Sequence, residues 1–232
     1  HPELLDWLAV EFRDGGGGSL KKLHKLIVTS HTYQQESRIA DSDAQLLDAD
    51  SRYHWHHYRL RLEAESLRDA VLAVAGKLDK TMGGPSFQDF VIEHPEHSPH
   101  YEYHLFDPDD AKSHRRSIYR FLVRSQPQPF MTTLDCADPS LRVDKRNESL
   151  SALQALATLN NGFIVVMSRH FAERIANETN DPGEQVKLMF RLALSREPTQ
   201  EERSDLVEYT RQHGLANACR VMLNLNEFVF VD

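Results

Sequence analysis

The chain has 232 residues, with 27 Lys and Arg against 35 Asp and Glu and a formal charge of −8. That balance excludes a general nucleic-acid binder, whose phosphate contacts need a basic footprint, and no stretch approaches the roughly 20 apolar residues of a membrane span. A chain of this length buries enough surface to fold without disulfide staples, and Cys136 and Cys219 show no CxxC spacing.

The opening His1-Pro2-Glu3-Leu4-Leu5 already carries a helix-start pattern, with Pro2 suited to the first turn. It reads as a piece trimmed from something longer, with targeting information removed. Leu4, Leu5, Leu8 and Phe12 recur at helical spacing over 2–12, and the run Gly15 to Gly18 is a flexible break. Ser19 is expected to cap a second helix through Leu20, Leu23, Leu26 and Ile27 to about Ser30. Residues 36–52 are polar and aperiodic, as in a surface connection.

The clearest helix is expected over 60–78. There Leu60, Ala64, Leu67, Val71, Val74 and Leu78 form one apolar stripe, while Arg61, Glu65 and Asp69 line another face at i,i+4 spacing. Gly83-Gly84-Pro85 stops helical structure. The segments 86–92, 101–106 and 116–124 are short, aromatic or β-branched, and Tyr119, Phe121 and Val123 alternate at period two. They read as a small antiparallel sheet, closed off by Pro127 and Pro129.

Helices return at Ser151, where Ser151 to Gln154 has the capping-box form. Further helices are expected over 163–175, from Asp181-Pro182, from the second capping box Thr199 to Glu202 as far as Gly214, and over 215–225. Phe228 to Val231 is expected to return as a strand.

The expected architecture is mainly α: two helical halves around one core, with a small antiparallel β insertion at about 86–124. A single domain over 1–232 would comprise N-terminal helices (1–80), the β-containing insertion (81–130) and C-terminal helices (131–232). Its core would draw on Leu4, Leu8, Leu23, Leu67, Val71, Leu156, Phe171, Phe190 and Met222.

Three polar groupings stand out. Arg115, Arg116, Asp135, Asp138, Arg146 and Asn147 lie in or beside loops, where sites on a scaffold are usual. Guanidinium forks suit carboxylate or sulfate, and carboxylates orient sugar hydroxyls or act as acid and base; the competing reading is an Arg–Asp network that pins a long loop. His54, His56, His57, His94, His97, His100, His104 and His114 have no metal-ligand spacing, so no metal is expected. Gln154, Asn160, Asn161, Asn224 and Asn226 fall at helix ends, where side-chain amides most often cap backbone groups. Cys136 and Cys219 read as two half-buried thiols, with a disulfide as the alternative.

Several segments carry a resemblance. They are His1 to Ala9, Ser19 to Ser30, Arg61 to Ala70, Gly83-Gly84-Pro85, Arg115 to Tyr119, Leu153 to Asn160, Arg196 to Thr199 and Leu223 to Asp232. In this order they resemble the planctomycete-specific C-terminal domain of unknown function, the PSD type, over nearly the whole chain. The resemblance implies an exported multi-domain protein with cytochrome c-like modules upstream and a setting of polysaccharide breakdown. It supplies no reaction. The chain departs from that pattern at Cys136, where a small residue is usual, and at His54 to His57. It has no Cys-x-x-Cys-His, so no cofactor is expected here and any haem belongs to the upstream part.

Three functions follow as expectations. The first is a module of unknown activity linked to polysaccharide and to other modules of the same polypeptide. The second is a hydrolase or lyase using Asp135, Asp138 and Arg146, with Arg115, Arg116, Asn147, Gln154 and Asn160 binding ligand. The third is a docking module for a cytochrome c-type partner, drawn by the acidic balance.

Overall fold

A computed structural model describes residues 1–37, 42–95, 98–142 and 144–231, so His97 and part of the expected 36–52 connection lie outside the described residues. The described residues form eleven α-helices and a few strands of two or three residues, a mainly α fold. They divide into two compact units, 1–60 and 61–231.

In the first unit, α1 (Pro2–Val10) begins with Pro2 in its first turn, where the missing N–H costs nothing. It does not run on to Phe12 as a regular helix. A π-helical turn, Glu11–Gly15, replaces the last turn, and Gly17 and Gly18 follow at φ +58° and +75°. Ser19 Oγ accepts the Lys22 N–H and opens α2 (Leu20–Val28). The expected surface connection contains α3 (Ser42–Leu47) and then a tight polar knot. Asp48 accepts the N–H groups of Arg52 and Tyr53, Trp55 Nε1 donates to the Asp48 carbonyl, and Ser51 Oγ donates to the His56 carbonyl. His56 is thereby buried. Neither α1 nor α2 buries a residue, and Leu4, expected in the core, is 47% exposed. An apolar stripe fixes which face would pack, not whether anything covers it.

The chain passes to the second unit through β1 (Leu60–Arg61), so the expected helix start at Leu60 is corrected to Ala64. Helix α4 (Ala64–Val74) ends well before Leu78, because Gly76 takes φ +74°. Arg174 Nη1 donates to the Ala73 and Val74 carbonyls, satisfying that helix end.

Of the small antiparallel sheet expected, with two or three strands, a two-stranded hairpin forms: β2 (Val91–Glu93) antiparallel to β3 (His100–Glu102), with Ile92 opposite Tyr101. Tyr103–Leu105 is a 3-10 turn, and so is Ser117–Tyr119, where a strand over 116–124 was expected. The reason lies in where that backbone finds partners. The Ser117 N–H donates to the Asp69 carboxylate at 2.7 Å, and the Arg115 carbonyl accepts from Arg68 Nη1 at 3.0 Å. Side chains of α4 thus take up the start of the segment. Beyond it, among the described residues, only Phe87 pairs with the backbone, accepting the Phe121 N–H at 2.8 Å and donating to the Tyr119 carbonyl at 3.0 Å in an isolated parallel bridge.

The remaining helices are α5 (Pro129–Thr133), α6 (Ala152–Asn160), α7 (Gly162–Glu178), α8 (Pro182–Leu194), α9 (Gln200–His213), α10 (Leu215–Met222) and α11 (Asn226–Val229). Both capping boxes form with both of their bonds, at Ser151–Gln154 and Thr199–Glu202. Asp181 caps α8 and Asn161 caps α7. The tail expected as a strand from Phe228 is helical to Val229, and β4 is confined to Phe230–Val231.

The core of this unit is built on α7, whose Ile164, Met167, Phe171 and Ile175 are fully buried against α4, α8 and α10. Leu67, Val71, Phe190 and Met222 share it as expected, but Leu156 is 54% exposed. On α6 the buried positions are Gln154 and Thr158, so the capping box turns the apolar Leu153 and Leu156 outward.

Candidate functional site

Helix α4 organises the polar residues of the second unit. Arg68 is buried between the rings of Phe87 and Phe163, whose centroids lie 5.0 and 5.4 Å from its guanidinium carbon. It donates to the carbonyls of Ser113 and Arg115 and to Ser117 Oγ. Burial pulls its pKa down to about 10, against the opposing charges of Asp89 and Asp69. Asp69, one position on, accepts both the N–H and the Oγ of Ser117 at 2.7 Å. The segment Arg115–Tyr119 is thus fastened to α4.

Arg115, a sequence candidate for ligand binding, is committed elsewhere. Its Nη atoms donate to the carbonyls of Thr81, Gly83 and Pro85, and its guanidinium stacks 4.0 Å from the Tyr119 ring centre. The Tyr119 hydroxyl in turn accepts the Gly83 N–H at 2.9 Å. Gly83 and Gly84 sit at φ +77° and +80°, which only glycine adopts without strain.

Asp135 forms a second network. Its carboxylate accepts from Arg61 Nη2 at 2.7 Å, from the N–H and Oγ of Ser149 at 2.8 and 2.9 Å, and from Gln154 Nε2 at 3.0 Å. Burial would push its carboxyl up, but the bonds from Ser149 and Gln154 and the charge of Arg61 hold it below the usual aspartate range. Asp138 is exposed and accepts both the N–H and the Oγ of Ser140 at 2.8 and 2.7 Å, which likewise lowers its pKa.

Arg146 leaves Asp135 aside and pairs with α4. Its Nη1 lies 2.6 Å from Glu65 Oε2, and its Nε lies 3.5 Å from Glu63 Oε1. Glu65 also accepts from the Cys136 thiol at 3.4 Å. Burial opposes ionisation of Glu65, yet the Arg146 bond keeps its carboxyl below the ordinary value. Burial, together with the Glu65 charge, pushes the Cys136 thiol up to about 11, so it is no ready nucleophile. Cys219 is buried, and both cysteines are free thiols.

Glu63, Glu65, Asp69, Arg116 and Arg146 line an open cleft of about 390 Å³ together with Ile118 and Leu122. Arg116 is 49% exposed and reaches Asp69 only at 4.0 Å. At the wall stands Arg120, whose buried guanidinium lies 4.0 Å from Asp89. Arg120 Nε and Asp89 Oδ1 have no partner among the described residues, and burial raises the Asp89 carboxyl.

The sequence candidates therefore part company. Arg116 and Arg146 share this cleft. Asp138 lines a neighbouring one with Cys136 and Pro139, and Gln154 lines a third with Arg61 and Thr158. Asn160 Oδ1 accepts from Arg220 Nη2 at 2.9 Å, and Asn147 is exposed. Sequence reasoning placed Glu65 and Asp69 on a helix face but did not assign them to the site; their i,i+4 spacing was the available signal. Arg68 and Arg120 gave no such signal, since their partners lie far along the chain.

Among the described residues no three or more His, Cys, Asp or Glu side chains gather as a metal ion would require. His114 is buried with Nε2 3.1 Å from the Pro108 carbonyl, and His104 lies 3.2 Å from Glu102. No described helix is long and apolar enough to cross a membrane.

The model of the PSD1 family, a protein of unknown function (DUF1553), matches residues 1–210. The chain belongs to that family. No curated protein and no solved structure matches it.

Proposed function

We propose that this chain is a polysaccharide-binding module of an exported multi-domain protein, and that the cleft between α4 and the Arg116–Leu122 segment holds the sugar. One observation carries the reading. Guanidinium donors (Arg116, Arg146) and carboxylate acceptors (Glu63, Glu65, Asp69) line a single open cleft beside apolar Ile118 and Leu122. Sugar hydroxyls both donate and accept, and their ring faces are apolar, so a mixed lining of this kind suits them. The order of motifs resembling an exported family supports the setting.

The reading assigns no bond-breaking step. The carboxylates of Asp135 and Asp138 are taken up by Ser149 and Ser140 and both are held ionised, and the cleft lined by Asp138 does not include Asp135. Calorimetric titration with soluble fragments of gluco-, manno- and xylo-polysaccharides tests it. Binding is expected with at least one fragment and is lost in Arg116→Ala at unchanged melting temperature. No heat with any fragment would end the reading.

A further inference from the structure

The Glu65–Arg146 cleft does not stand alone. A second cleft, of about 110 Å³, is lined by Val123, Pro127, Gln128, Thr132, Asp138 and Pro139 among others. Both clefts include Arg120 and Leu122 in their walls. They are joined a second time beneath that wall, where the Cys136 thiol of the second cleft touches the Glu65 carboxylate of the first at 3.4 Å. We infer that the two clefts are successive subsites of one groove, crossing Leu122, that takes an extended neutral oligosaccharide rather than a single sugar or a polyanion. This rests on the polysaccharide reading and deepens it.

Charge decides against a polyanion. Three arginines (Arg116, Arg120, Arg146) line the two clefts against four carboxylates (Glu63, Glu65, Asp69, Asp138), on a chain of net charge −8. A ligand dense in sulfate or uronate would meet more repulsion than attraction. A neutral chain of hydroxyls meets donors at Arg116 and Arg146 and acceptors at Glu63 and Asp138. The second cleft is the more apolar end, with Val123, Pro127 and Pro139 suited to a sugar's C–H face. No aromatic ring lines either cleft among the described residues, so each sugar unit contributes little. Affinity therefore accumulates over several units, which both subsites must hold.

The test titrates the full chain with ladders of neutral gluco-, manno- and xylo-oligosaccharides, from disaccharide to hexasaccharide. On one ladder, affinity is expected to rise about tenfold or more with length and to change less than about twofold between low and high salt. Thr132→Arg, at an exposed position on α5, blocks the second cleft and should weaken the hexasaccharide while sparing the disaccharide. Asp138→Ala is the gentler variant should Thr132→Arg lower the melt. Binding that ignores length, or ignores both variants, overturns the groove while leaving a one-cleft sugar site. Tighter binding of an oligouronate, falling with salt, overturns neutrality. Binding of a neutral Ser- and Gly-rich peptide in place of every ladder overturns the groove and the sugar reading together.

Discussion

The side chain of Gln154 joins two networks that lie nineteen residues apart in sequence: Nε2 donates to Asp135 Oδ2 at 3.0 Å while Oε1 accepts the Ser151 N–H at 3.2 Å. One amide therefore closes the capping box of α6 and ties that helix to the Asp135 turn, where the backbone sits at φ +60°. Gln154→Ala removes these two bonds, and a third from Nε2 to Ser149 Oγ at 2.9 Å, from a buried position. The expected cost is about 2 kcal/mol, from a lost cap and a buried polar contact. Gln154→Glu keeps the reach to Ser151 but sets a second carboxylate against Asp135, and should cost at least as much near neutral pH. Urea unfolding of the two variants decides; a cost near zero for both would mean that water replaces the amide.

Asp135 also sets part of the acid stability. Its folded pKa lies below the ordinary value of about 4, so its contribution is present above that range and lost as pH falls through the folded value. Asp135→Asn should lower stability at pH 7 and flatten the decline on acidification. Melting temperatures of both proteins across the acid range test this, and parallel curves would refute it.

How much of this could be seen in the sequence follows from how local each signal was. Ser151, Asp181 and Thr199 were legible as caps because a cap oxygen and the N–H that donates to it lie within one turn. The segment at Ser117 was misread as a strand because its alternation is local, whereas the partners of its first backbone groups, Asp69 and Arg68, are side chains about 48 residues away, and a single bridge to Phe87 is all the strand pairing it makes among the described residues. Leu4 and Leu156 were misplaced in the core for a related reason: periodicity marks an apolar face without saying what packs on it. At the site, Arg116 and Arg146 were found by type, but Glu65 was read as a helix-surface charge. Its pairing with Arg146 spans 81 residues and has no local trace.

Arg68 is the polar residue this unit can least do without. Its guanidinium serves the Ser113 and Arg115 carbonyls and Ser117 Oγ from a buried position. Arg68→Leu leaves those acceptors without their donor and the buried Asp89 with Arg120 as its one remaining nearby cation, at an expected cost of about 3 kcal/mol or more. Arg68→Lys, lacking the planar fork, should recover only part of this. A proteolysis assay would show cleavage first within 113–119 in both variants. Equal resistance to wild type would mean that Arg68 is not what fastens the segment.

Gly76 tests the end of α4. A Cβ there would stand 3.2 Å from Arg174 Cδ, and φ is +74°, so strain and crowding both act. Gly76→Ala should cost about 1–2 kcal/mol. In the Arg174→Ala background the crowding is gone and only the backbone strain remains, so the second cost should be smaller than the first. Equal costs in both backgrounds would assign the whole effect to φ.

Arg116 and Arg146 share a cleft, but the structure gives them unequal attachments. Arg146 holds Glu65 at 2.6 Å, and that carboxylate also receives the Cys136 thiol, so removing Arg146 loosens a contact that spans 81 residues. Both partners are about a third exposed, and screening limits the expected loss for Arg146→Ala to roughly 0.5–1 kcal/mol. Arg116 is half exposed and meets Asp69 only at 4.0 Å, while Asp69 Oδ1 is already bound by Ser117. Arg116→Ala should leave the melting temperature where it is, within about 0.5 kcal/mol of stability. A residue that can be removed from a cleft without structural cost, yet whose removal abolishes sugar binding, is held there by ligand contact rather than by the fold. If instead Arg116→Ala lowers the melt as far as Arg146→Ala does, both arginines are scaffolding for α4 and the cleft loses its claim to a ligand.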